Sequence, residues 1–167
     1  MQYTDIRFPH LGVMLSDVGR AISIGDFQIM YYGIIIASGF LAGLLIAQKE
    51  AKRTGQNPEL YLDYLLWMMI PAIIGARMYY VIFSWDYYKN NPAKIINTRH
   101  GGMGIVGGVM AAVLVLLIFA RVRKQKAALM LDTMTMSLLV GQIMGRWGNF
   151  FNREAFGGFT DGLFAMQ

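Results

Sequence analysis

The chain has 167 residues, of which 56% are hydrophobic and only 15% charged, with a mean hydropathy of +0.43. Soluble domains of this length rarely carry so little charge, and four apolar runs separated by short charged loops mark an all-α integral membrane protein, a polytopic helical bundle in a single transmembrane domain spanning 1–167. The formal net charge of +5 sits mainly in loops beside those runs; this fits membrane topology and anionic lipid, and without a basic stripe interleaved with aromatics it excludes nucleic acid as a partner.

Residues 1–26 read as an extracytoplasmic arm. Asp5, Arg7, Asp17, Arg20 and Asp26 fill it, so it is no signal peptide, and no small-residue cleavage site follows the first apolar run. That run is expected to stay in the mature protein. The breaker pair Phe8-Pro9 and the glycines Gly12, Gly19 and Gly25 interrupt the arm, while Leu11, Val13, Met14, Ile22 and Ile24 suit a membrane surface. The expectation is a loop with a short interfacial helix.

The first span runs near 29–47, about the ~20 residues that cross hydrocarbon. Tyr31 and Tyr32 open it at an interface, and Gly39-Phe40-Leu41-Ala42-Gly43 is a small-xxx-small pattern that admits a close neighbouring helix. A loop with Lys49, Lys52, Arg53, Gly55 and Pro58 leads to the second span, near 60–83. Pro71 is expected to kink it, and Gly75-Ala76-Arg77 puts a cation late in it. The polar, aromatic stretch 84–100 ends in Gly101-Gly102-Met103-Gly104-Ile105-Val106-Gly107-Gly108. The third span, near 103–120, closes on Arg121, Arg123, Lys124 and Lys126. The fourth runs near 127–145, with Asp132 close to its start. The two short loops hold Lys49, Lys52, Arg53, Arg121, Arg123, Lys124 and Lys126, so they are expected on the cytoplasmic side. The N-terminus, the 84–100 loop and the segment after the fourth span are then outside.

Without cysteine the chain has no disulfide, thiolate zinc site or cysteine nucleophile, and with only His10 and His100 no metal cluster or metal cofactor is expected. The chemistry must come from other groups. An arginine at mid-bilayer costs at least ~2.5 kcal/mol, so Arg77 either snorkels, pairs with a carboxylate or faces the bundle interior as a phosphate ligand. Asp132 reads as a helix cap, with a proton path as the sharper alternative. The glycine pairs 101–102 and 107–108 fit either close helix packing or backbone approaching a ligand. Arg146 lies one turn beyond the last apolar residues. With Arg77 at similar depth, two guanidinium groups make a receptor for one lipid phosphate, each fork binding bidentately. Asn149 and Asn152 add donors. Glu154 either neutralises Arg146 or Arg153, or positions a nucleophile and accepts its proton.

The run Gly145-Arg146-Trp147-Gly148-Asn149-Phe150-Phe151-Asn152-Arg153-Glu154-Ala155-Phe156-Gly157 closely resembles the G-R-x-G-N-F-x-N-x-E-x-x-G signature of the bacterial prolipoprotein diacylglyceryl transferase family. The stretch from Ser23 to Gly33, Gly75-Ala76-Arg77, the two glycine pairs and Asp132 resemble further family positions in the same order. The resemblance implies a transferase of the bacterial plasma (inner) membrane with no cofactor. Its partners are phosphatidylglycerol and a preprolipoprotein signal peptide with a lipobox cysteine, whose thiol takes the diacylglyceryl group while glycerol phosphate leaves. It implies that Arg146, Glu154 and His100 are catalytic, and that Arg146, Arg77, Asn149, Glu154, Gly157, Tyr32, Gly101, Gly102 and Gly107 bind phosphatidylglycerol.

Two departures stand out. The family's His or Tyr before the second glycine pair is Val106 here, leaving His100 as its stand-in for proton transfer. The family also continues well past the signature, so the chain is expected to be the N-terminal part of a longer enzyme. An inactive fragment, or a lipid-binding or transport module without chemistry, is the alternative.

Overall fold

Four helices long and apolar enough to cross a membrane dominate the computed structural model, which describes residues 4–98, 101–155 and 157–166. Two small antiparallel ribbons come first: β1 (Thr4–Phe8) pairs with β2 (Val13–Val18), and β3 (Ala21–Ile24) with β4 (Phe27–Met30). Then follow α1 (Tyr31–Arg53), α2 (Glu59–Phe83), the single turn α3 (Trp85–Tyr88), α4 (Ile105–Val122) and α5 (Ala127–Asn152). The protein is an all-α polytopic membrane protein with a β-ribbon arm. Its four long helices cover the four apolar runs, and two extend further. α1 continues to Arg53 through strong helix formers, with Glu50 and Arg53 paired three residues apart. α5 continues to Asn152 because no proline or left-handed residue intervenes. Pro71 lies inside α2 without ending it.

The arm departs from the expected interfacial helix. Ile22-Ser23-Ile24 and Phe27-Gln28-Ile29 alternate apolar and polar residues around Gly25-Asp26, which is strand periodicity about a two-residue turn. Gly25 supplies a φ of 61° at the first turn position, where L side chains are strained. The register Ile22↔Ile29, Ile24↔Phe27 then puts those four side chains on one face. The other ribbon turns through a 3-10 turn at Pro9–Leu11. Asp132 differs too. α5 starts at Ala127 with no acidic residue in its first turn, so Asp132 is an exposed second-turn residue and not a cap.

Packing sorts the chain into two compact units, Met1–Leu45 with Met136–Gln167, and Ile46–Thr135. In the first, α1 and α5 run antiparallel along a seam of small residues. A Cβ at Gly39 would stand 3.0 Å from the Met144 side chain, and one at Gly43 would stand 3.5 Å from the Ser137 carbonyl. The Ser137 hydroxyl donates to the Gly43 carbonyl at 2.7 Å. This is the use foreseen for the small-xxx-small pattern: in lipid, helix association rests on close contact and hydrogen bonds, because hydrocarbon matches the apolar side chains.

In the second unit, α2 and α4 cross at Gly75 and Gly107. A Cβ at Gly75 would lie 2.7 Å from the Gly107 carbonyl oxygen, and one at Gly107 would run into the Gly75 carbonyl and the Tyr79 side chain. The Tyr64 hydroxyl donates to the Ala112 carbonyl at 2.9 Å, and Tyr64 and Trp67 meet the Phe119 ring edge-on. Phe119, Leu116 and Met130 are the largest fully buried side chains among the described residues. The Gln56 carboxamide donates to the Thr133 hydroxyl at 2.7 Å and accepts from Tyr61 at 2.6 Å, closing that end with a satisfied polar triad. Along α2, Ile70, Ile73, Ile74, Ile82 and Phe83 are exposed, side chains suited to lipid and not to water.

Candidate functional site

The last turns of α5 build the polar cluster of the first unit. Gly148 faces α1: a Cβ there would stand 3.0 Å from the Tyr32 ring, which is half-buried against it. The Tyr31 and Phe151 rings meet at 5.4 Å beside this contact. Arg146 precedes Gly148 by two residues, about 200° round a helix, and so points away from the seam. It is exposed, and it makes no hydrogen bond or ion pair with any other described residue. Asn149 lies one turn further on the same stripe and is half-buried.

Beyond Asn152 the chain doubles back. Arg153 and Ala155 adopt left-handed φ values of 55° and 53°. The Glu154 N–H reaches the Asn149 carbonyl at 3.1 Å and the Arg153 N–H the Phe150 carbonyl at 3.2 Å. The Asn152 amide donates to the Glu154 carboxylate at 3.0 Å. Glu154 is therefore held against the end of α5 by its neighbours, and no ion pair joins it to Arg146 among the described residues. Gly157 is exposed, with open space where a Cβ would go. Arg153, which the sequence offered only as a counter-ion for Glu154, ties α5 to the arm. Its Nη2 donates to the Val18 carbonyl and its Nη1 to the Phe151 carbonyl at 3.3 Å. Burial and then the nearby Arg20 charge hold its pKa below the ordinary arginine value.

Arg77 belongs to the second unit and is 8% exposed. Its Nε donates to the Ile95 carbonyl at 2.7 Å. Nη1 donates to Gly101 at 3.1 Å and Gly102 at 2.6 Å, and Nη2 to Lys94 at 2.7 Å and Asn97 at 2.9 Å. A guanidinium has five N–H donors, and each one here meets a backbone carbonyl. The Tyr88 ring stacks 5.2 Å from the guanidinium carbon. This arrangement is neither snorkelling nor a carboxylate pair, and it leaves no donor for the phosphate expected from the sequence.

The glycine pairs divide between the two readings the sequence left open. Gly101 and Gly102 take φ values of 85° and 80°, and a Cβ on Gly102 would stand 2.5 Å from Arg77 Nη1. At this pair the backbone does approach a polar group, but that group is the chain's own arginine. Gly107 serves the close crossing with α2, and Gly108 meets Ala72 and Ala76 at ordinary contact distance. Val106 is exposed on the first turn of α4. His100 lies outside the described residues. Tyr32, Arg146, Asn149, Glu154 and Gly157 thus sit in one unit, and Arg77, Gly101, Gly102 and Gly107 in the other.

Comparison with known proteins gives a family for this arrangement. The model of the prolipoprotein diacylglyceryl transferase family matches residues 20–167. A phosphatidylglycerol–prolipoprotein diacylglyceryl transferase of Listeria monocytogenes serotype 4a (strain HCC23) is 44% identical over 144 residues, covering 86% of this chain and 52% of the relative. One from Bacillus cytotoxicus is 45% identical over 148 residues, covering 86% of this chain and 55% of the relative. One from Limosilactobacillus reuteri (strain DSM 20016) is 46% identical over 136 residues, with coverages of 81% and 50%. The chain spans about half the length of these curated relatives. With the family model covering most of the sequence and the signature run intact at the end of α5, the chain belongs to the prolipoprotein diacylglyceryl transferase family.

Proposed function

We propose that the complete protein containing this chain transfers the diacylglyceryl group of phosphatidylglycerol to the lipobox cysteine of a preprolipoprotein at the outer face of the bacterial inner membrane. The names of the relatives supply the lipid and the acceptor class. The observation that carries the reading is the Arg146 fork, exposed at the end of a membrane-spanning helix and without a hydrogen-bond or ion-pair partner among the described residues. The positive-inside rule, with the cation-rich loops at 48–59 and 121–126 in the cytoplasm, supports that end of α5 lying outside.

The reaction is a substitution at carbon. The thiol sulfur bonds to the glycerol carbon that carries the phosphate ester, and the carbon–oxygen bond breaks. Glycerol phosphate leaves with the electron pair, and the thiol proton passes to a base. Charge accumulates on the departing phosphate, so a planar, always-charged fork aimed there lowers the barrier more than it tightens ground-state binding. Arg146 fills this part. Asn149, on the same stripe, donates to the headgroup. Glu154, oriented by Asn152, accepts from the glycerol hydroxyls or takes the proton, with His100 as the other candidate base. Tyr32 and Gly157 border the headgroup.

The test supplies the complete gene product with phosphatidylglycerol vesicles and a lipobox peptide. The peptide should gain the mass of one diacylglyceryl group. No gain, with lipid still bound, would leave a lipid-binding module or an inactive relative.

A further inference from the structure

We infer that Arg77 is a positioning residue that fixes the segments 94–97 and 101–102 and the start of α4, and that it does so without touching the lipid phosphate. The inference deepens the transferase reading above and rests on it for its kinetic arm.

A cation in a low-dielectric span needs compensating dipoles. The loop supplies five, the carbonyls of Lys94, Ile95, Asn97, Gly101 and Gly102. They come from two segments, 94–97 and 101–102, so one planar group holds both. Two glycines with positive φ turn their carbonyls inward, and at Gly102 a methyl group would stand where the guanidinium sits. The residue before Arg77 fixes the other side of the same segment: the Gly104 N–H donates to the Ala76 carbonyl at 2.8 Å. Adjacent residues of α2 thus hold the chain at 101–102 and at 104. Directly beyond lies the first turn of α4 with Val106. Lysine offers only three N–H donors from a single point, so it cannot close five carbonyls in a plane.

The experiment uses the complete enzyme in phosphatidylglycerol nanodiscs with variants R77K, R77Q and G102A. It reads transfer kinetics against lipid concentration and amide hydrogen exchange over 94–104. The arginine variants should lose at least tenfold in kcat while KM for phosphatidylglycerol stays within about twofold. Loop amides should exchange at least tenfold faster in both. G102A, which keeps the guanidinium, should give the same pattern, and R77Q/G102A should be no worse than R77Q alone. A tenfold rise in KM with unchanged exchange would make Arg77 a lipid ligand and overturn the inference, as would wild-type exchange in G102A. If the arginine variants do not fold, G102A decides alone by the same two readouts. If the wild-type enzyme transfers nothing, the transferase reading fails while the exchange arm, which needs no turnover, still decides the clamp.

Discussion

Replacing Gly107 by alanine should separate the α2–α4 crossing, and the neighbouring Gly108→Ala serves as its internal control. At Gly107 the new methyl meets the Gly75 carbonyl and the Tyr79 Cβ, both fixed to the α2 backbone, so no side-chain rotation relieves the clash. Overpacking of this kind costs about 1–3 kcal/mol, and contact with backbone puts it near the upper figure. Against it stands the better helix propensity of alanine, about 1 kcal/mol. The net expectation is about 2 kcal/mol of destabilisation. At Gly108 the methyl would lie 3.4 Å from the Ala72 carbonyl and 3.5 Å from the Ala76 Cβ, ordinary contacts. There the propensity gain stands alone, and the variant should be up to about 1 kcal/mol more stable. The two variants differ by about 3 kcal/mol, roughly two decades in the unfolding equilibrium at 1.4 kcal/mol per decade. Reversible unfolding in mixed detergent micelles measures this. Equal stability of the two alanine variants would refute the close crossing.

Arg146→Lys in the complete enzyme should lower kcat/KM by about 10–100-fold, because a charge-assisted bond worth about 1.5–3 kcal/mol is lost with the planar fork; wild-type turnover would remove the bidentate role. Ser137→Ala removes the hydroxyl bond to Gly43 across α1 and α5 and should cost about 0.6 kcal/mol by the same unfolding assay, so a loss above about 2 kcal/mol would mean the seam depends on that bond far more than its geometry implies. Asp63 and Arg123 form an ion pair with side chains 40% and 43% exposed. A double-mutant cycle should therefore give a coupling below about 1 kcal/mol that fades with added salt.

The spans were legible because hydrocarbon demands long apolar runs, and Gly39 and Gly43 announced their seam for the same reason. The arm was read poorly even though part of it carried a clear signal. Ile22-Ser23-Ile24 and Phe27-Gln28-Ile29 alternate around a glycine-first turn, whereas Leu11-Gly12-Val13-Met14-Leu15 shows no alternation to report its strand. The two arginines show the limit more sharply. Both stand at membrane depth or at its edge in a chain poor in carboxylates, and both read as phosphate forks. One is wrapped by carbonyls, and the other has no partner among the described residues. The difference lies in backbone carbonyls, which every residue carries and no sequence pattern displays. Only Gly101-Gly102, with two consecutive positive φ values, marked the place where those carbonyls turn inward. The signature run was legible as a unit, but the hold of Asn152 on Glu154 and the reach of Arg153 to Val18 depend on the left-handed turn after α5, which neither arginine nor alanine favours.

β4 ends at Met30 and α1 begins at Tyr31, with no residue between them, and the Tyr31 N–H donates to the Arg20 carbonyl at 2.9 Å at the base of the ribbon. The joint has no slack. A ribbon of four paired residues at about 3.4 Å each reaches roughly 13 Å from the helix, so it works as a lever with the membrane span as its shaft. Tilting that shaft by about 10° sweeps the tip at Gly25 through about 2 Å, within the spread of tilts that bilayer thickness imposes on membrane helices. With Arg153 also holding the Val18 carbonyl from the end of α5, the arm is anchored at two helix ends, and a change in the tilt of α1 is predicted to be felt at the ribbon tip.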